Sequence, residues 1–181
     1  MNKIIISTLF VLSVMVANSQ KPVKPEFKNE PMFFEDGKLI KLETQTAEIK
    51  VRAKALGYGG SQMEISVPGG SSPILVSDNP TFYIWVDEGV DPETILILTK
   101  TIFSKNKRNV PMMRVSAFAG YGARGKSMAG KYHVPYEIEK MQNGVYKITP
   151  SSELEKDMEY AFYNPEKTNS QQIKIFLFGT E

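Results

Sequence analysis

Nine residues, 47–55, alternate without a break. Ala47, Ile49, Val51, Ala53 and Ala55 fall in one phase, and Glu48, Lys50, Arg52 and Lys54 in the other. A helix repeats every 3.6 residues and would mix the two sets, whereas a strand repeats every two and gives each set its own face. Alanine favours helix, but an unbroken period of two predicts a half-buried strand. Residues 63–67 alternate in the same way, and the aromatic and β-branched runs 82–86 and 173–178 also suit strands. Asp36-Gly37, between 32–34 and 39–42, and Asn143-Gly144, between 132–141 and 145–149, are hairpin turn signals. Residues 74–76, 95–98 running on to Phe103, 112–118 and 160–163 complete the set. Only residues 150–157, with Ser151 or Ser152 as cap, suggest a single helical turn. The expected fold is all-β: a single β-sandwich or partly open barrel of about ten short antiparallel strands. No helix is long enough for a βαβ unit.

The start of the chain predicts its compartment. Lys3 precedes an apolar core over residues 4–16, and Ala17 and Ser19 place small residues where a secretory signal is cut, between Ser19 and Gln20. The core is shorter than the ~20 residues of a membrane span. The reading divides the chain into a signal peptide at 1–19, an extended, poorly ordered lead-in at 20–31 and a β-rich domain at 32–181. Export to the periplasm or the medium follows. The chain has no cysteine, which excludes a lipoprotein acylation site, disulfides and thiolate metal sites. A mature chain of this length makes one domain that buries enough surface to fold unaided.

The formal net charge is only +2, but it is unevenly spread. All twenty acidic residues lie outside residues 94–136, which hold eight cations: Lys100, Lys105, Lys107, Arg108, Arg114, Arg124, Lys126 and Lys131. Six of them, Lys105, Lys107, Arg108, Arg124, Lys126 and Lys131, are candidates to hold an anion such as lipid phosphate, an acidic polymer or an acidic partner. Within this stretch, residues 120–127 read Gly-Tyr-Gly-Ala-Arg-Gly-Lys-Ser and match the phosphate-loop pattern letter for letter. A phosphate loop needs a helix to begin at its Lys-Ser, with the positive end of the helix dipole toward the ligand. Here Gly130 and Pro135 follow, costing about 1 and 3 kcal/mol inside a helix. The match is read as accidental and the segment as a basic glycine turn. Asp87-Glu88, ending an apolar run as a Mg²⁺-binding pair does, precedes the loop in the reverse of the usual order.

Other candidate chemistry is sparse. Asp87, Glu88, Asp91 and Glu93 offer oxygen ligands for Ca²⁺, but their order and Pro92 suit a solvated hairpin tip. His133 is the sole histidine, which excludes two-histidine zinc sites and leaves any Ser-His-Asp triad dependent on it. Its place between Tyr132 and Val134 suits a structural role. Trp85 and the tyrosines can form a sugar platform, though in strands they more often fill the core. A carboxylate pair for glycan hydrolysis stays open, because sequence does not give the distance between carboxyls.

Four stretches, 39–43, 67–72, 95–108 and 144–150 with 159–162, resemble uncharacterised exported bacterial β-rich proteins. The last pair, Gly-Val-Tyr-Lys-Ile-Thr-Pro followed by Glu-Tyr-Ala-Phe, is similar to their C-terminal ending, with Asp157-Met158 where Pro-Gly is usual. The resemblance implies a β fold and export, and no activity, cofactor or site. The expected function is a non-catalytic exported β-domain that binds an envelope protein or an anionic polymer or lipid. A carboxylate-dependent hydrolase of an envelope glycan is the alternative. No cofactor or nucleic acid is called for, since the basic segment has no recognised nucleic-acid motif.

Overall fold

The computed structural model describes residues 23–54, 60–118, 122–127, 129–169 and 172–181. The signal-peptide reading, the glycines at 57 and 59, and the first two residues of the phosphate-loop match lie outside these. The strands are Met32–Glu35 (β1), Lys38–Lys41 (β2), Glu43–Lys54 (β3), Gly60–Pro68 (β4), Leu75–Val76 (β5), Thr81–Trp85 (β6) and Ile97–Lys100 (β7). They continue as Ile102–Ser104 (β8), Lys107–Phe118 (β9), Gly122–Ser127 (β10), Tyr136–Lys140 (β11), Val145–Pro150 (β12), Glu159–Tyr163 (β13) and Gln172–Thr180 (β14). Among the described residues, helix is confined to single turns at Pro92–Ile95 (α1), Ala129–Tyr132 (α2) and a 3-10 turn at Pro165–Asn169. The all-β expectation holds, with fourteen strands among the described residues rather than about ten. The helical turn expected over 150–157 does not form.

The strands make two sheets. The smaller runs β11-β12-β6-β1-β2. The larger runs β10-β9-β4-β3-β14-β13-β7 and nearly closes. Its closure depends on one bend. The chain breaks its strand only at Thr101, so that β7 pairs with β13 while β8 turns away to pair with β9. β5 is the exception to antiparallel pairing, lying parallel to the end of β14.

The sequence pattern explains why β13 and β14 are apolar in both phases. Tyr160, Phe162, Phe176 and Phe178 face the smaller sheet and pack with Phe82, Ile84 and Ile148. Ala161, Tyr163, Ile175 and Leu177 face the barrel interior with Ala47, Ile65, Val67 and Val110. A strand covered on both faces reads as a continuous apolar run, as residues 173–178 nearly do. Phe82 sits at the centre of the sandwich, its ring 5.0 Å from those of both Phe162 and Phe178. Toward the other end of β3 the interior opens: Val51, in phase with Ala47 and Ile49, is 67% exposed.

Two-residue turns set the hairpin registers. Asp36-Gly37 joins Glu35 and Lys38, and Lys105-Asn106 joins Ser104 and Lys107, all four turn residues having positive φ. At Gly144, φ is +74° and an added Cβ would lie 2.5 Å from the Val86 carbonyl oxygen. Gly144→Ala is expected to cost about 1–3 kcal/mol through this contact and strain, read as a lower urea midpoint at unchanged slope.

Residues 23–31 of the lead-in are docked rather than loose. The Asn29 amide donates to the Trp85 carbonyl at 2.7 Å, and the Lys24 and Lys28 ammonium groups lie 3.6 and 4.9 Å from the Trp85 ring centroid. Lys28 also pairs with Asp87, and Glu30 with Lys174. Because Trp85 is the only tryptophan, removing residues 20–28 is expected to shift its fluorescence to longer wavelength. An unchanged spectrum would show that the ring is not covered.

Candidate functional site

The inward phases of β3, β9, β13 and β14 end together at one mouth of the barrel, in Glu43, Arg108, Glu159 and Gly179. Among the described residues, Arg108 is the largest fully buried side chain, 1% exposed. Its guanidinium grips Glu43 with both forks, Nη1 donating to Oε2 at 2.7 Å and Nη2 to Oε1 at 2.6 Å. Nη1 also donates to Glu159 Oε2 at 3.2 Å. The Glu159 carboxylate accepts the Ser72 amide at 3.0 and 3.1 Å, and Ser72 Oγ donates to the Leu177 carbonyl at 3.3 Å. The turn before β5 is thus tied across the mouth by the same ion cluster.

One guanidinium serves two carboxylates, and its buried Nε has no hydrogen-bond partner. Burial pushes the Glu43 carboxyl up, but hydrogen bonds from Arg108, Gln45 and Ser72, with the Arg108 charge, outweigh it and hold the carboxyl below its ordinary value. Burial likewise lowers the Arg108 guanidinium, and its two carboxylate partners raise it further than burial lowers it. Arg108 was one of the six anion-binding candidates; the structure instead commits it to an internal brace. The strand phase decides this, because Arg108 shares its phase with the buried Val110. There is little slack around it: a Cβ on Gly179 would lie 2.9 Å from Glu159 Oε1 and 3.0 Å from Leu75 Cδ2. Gly179→Ala is expected to cost about 1–3 kcal/mol by displacing that carboxylate, with thermal melting as the check.

The remaining candidates fall at opposite ends of β9. Lys105 is exposed in the β8–β9 turn beside Phe103, itself 58% exposed. Lys107 follows on β9. Lys126 lies opposite Arg114 and Arg124 opposite Ser116 on β10. Seven residues separate Lys107 from Arg114, about 23 Å of strand at 3.3 Å per residue. Lys131 is exposed in α2, its ammonium 5.4 Å from the Tyr132 ring centroid. The six therefore form no single cluster.

The phosphate-loop match also takes a definite form. Residues 122–127 are a strand, and no helix begins at Lys126-Ser127; the first helical turn starts at Ala129 and lasts four residues. The expected glycine turn is, over these residues, a paired strand.

The acidic tip is built as a turn. Asp91 Oδ1 accepts the Glu93 amide at 3.0 Å and caps α1. Among the described residues, no group of three acidic or histidine side chains could hold a metal ion. His133, with Glu93 and Tyr136, lines an open cavity of about 400 Å³. Burial lowers the imidazole pKa, its backbone bridges Thr99, and its Nε2 has no hydrogen-bond partner. Tyr136 Oη donates to the Leu96 carbonyl at 2.5 Å, and burial, aided by Glu93 and Asp91, pushes its pKa to about 12. The Trp85 ring, considered as a sugar platform, is covered by Lys24 and Lys28.

No family model, curated protein or solved structure matches the chain. Among the described residues, no helix is long and apolar enough to cross a membrane.

Proposed function

We propose that the chain is a non-catalytic β-domain, exported to the periplasm or beyond, that binds an anionic polymer or partner surface of the cell envelope. The observation that carries this reading is the acid-free stretch of residues 94–136, much of which is laid out along β9 and β10. In the fold Arg108 pairs with Glu43 and Glu159, and Lys100 with Glu155; long-range attraction by the cations that remain raises both the rate and the strength of polyanion capture. The non-catalytic part is supported by the cluster at the barrel mouth. Glu43 and Glu159 are close, but Arg108 occupies both carboxylates and Glu43 is held ionised, whereas a general acid needs a raised pKa. No observation favours the glycan hydrolase over this reading.

Two measurements test it. Fractionation of bacteria expressing the full chain is expected to find a shortened form outside the cytoplasm; an uncleaved cytoplasmic protein would remove the export premise. On a heparin column the protein is expected to be retained at low salt and released as salt rises. Flow-through at low salt would contradict anion binding.

A further inference from the structure

The ladders of β3, β4, β9 and β10 align residues that lie far apart in the sequence. One row across the four strands reads Arg52, Gln62, Arg114, Lys126. The next row outward reads Lys54, Gly60, Ser116, Arg124. Residues directly opposite in a ladder stand on the same face, as do residues two apart along a strand. Five cations, with no acid among them, therefore fall on one face of the sheet beyond the barrel. Nearer the barrel the same face carries Glu48 and Glu64 among its cations, so the concentration of charge belongs to the two distal rows alone.

A ligand that binds the folded face and not the unfolded chain stabilises the fold, so binding and stability become linked.

We infer that these two rows form a binding track for a linear, phosphate-bearing polyanion. The inference rests on the anion-binding reading above and places it on a face that includes Arg52, Lys54 and Arg114. Two features favour a polymer. Neighbouring strands lie about 4.8 Å apart and rows two residues apart along a strand about 6.8 Å. The five positions thus span a strip of backbone about 14 Å long and 7 Å wide, matched to a chain of phosphates rather than to one ion. Three of the five are arginines, whose planar fork suits phosphate oxygens. A bilayer is the poorer occupant, because membrane docking adds a buried apolar surface. Among the described residues of the two rows, Arg52, Gln62, Arg114 and Lys126 and Lys54, Gly60, Ser116 and Arg124, none is apolar and large.

The test uses labelled inorganic polyphosphate and fluorescence anisotropy across a salt series. The variant Arg52→Gln/Arg114→Gln/Lys126→Gln removes one row, Lys54→Gln/Arg124→Gln the other, and Lys105→Gln/Lys131→Gln removes cations outside both. Trp85 fluorescence confirms folding, and the two row variants keep the test independent of either one alone. Wild type is expected to bind, with each row variant at least tenfold weaker. For three cations removed, the slope of log K against log salt is expected to fall by about 2, at roughly 0.7 per phosphate neutralised. The row variants, unlike wild type, are expected to gain little thermal stability from polyphosphate. If both row variants bind like wild type while the Lys105/Lys131 variant is weakened, the track is wrong and anion binding stands. If wild type binds no polyanion at all, both fail. Tighter binding to anionic phospholipid vesicles than to polyphosphate would overturn the choice of ligand.

Discussion

Replacing Arg108 with Met is expected to lower stability by about 3–5 kcal/mol, because the two half-buried carboxylates then face one another without a counter-charge. For a domain of this size each kcal/mol moves the melting temperature by about 2–4 °C, so a fall of about 10 °C or more follows. Lys105→Ala, three residues away on an exposed turn, is expected to stay within about 0.5 kcal/mol. The pH dependence has a definite sign. Glu43 titrates in the folded protein below its ordinary 4.5, so its contribution is fully present above that value and is lost as pH falls through the depressed folded one. In the methionine variant Glu43 has lost that partner, so the gap from wild type is widest at neutral pH and narrows as pH falls below 4.5. Urea titrations of both proteins at pH 7 and at about pH 3, below the ordinary carboxyl value, measure this. An equal gap at both would show that Arg108 contributes packing rather than charge.

Phe82→Ala should be comparably severe, at about 3–5 kcal/mol for a fully buried ring. Phe82 is on the smaller sheet and meets Phe33 beside it and both Phe162 and Phe178 on the barrel wall. Its loss therefore loosens the contact between the two sheets, and the surrounding rings are too constrained to collapse into the space. Phe82→Leu, which keeps much of the volume, should recover most of the loss. If Phe82→Ala costs under 1 kcal/mol by urea denaturation, the packing of the sheets is not as described.

What the sequence disclosed depended on how far each feature reaches along the chain. Alternation in residues 47–55 and the Asp36-Gly37 and Asn143-Gly144 signals act over a few residues, and the strands and turns they mark are present. Closure of the larger sheet was not legible, because it depends on β7 and β8 taking different partners on either side of Thr101. Residues 132–135 were read as strand, yet α2 and Pro135 precede β11, which starts at Tyr136. Arg108 was grouped with its charged neighbours by proximity. Its phase was the available signal, since it alternates with Lys107 and Asn109 and so belongs with Val110. Its partners lie 65 and 51 residues away, and no local pattern names them. The two cationic rows were hidden for the same reason, because register joins Arg52 to Arg114 through β4.

Amide hydrogen exchange with and without polyphosphate tests most directly whether the cations divide between an internal brace and an external track. Slower exchange on binding is expected in 50–54, 113–118 and 122–127, with the amides around Glu43, Arg108 and Glu159 unchanged. Protection centred on the turn at 104–108, or none anywhere, would contradict it.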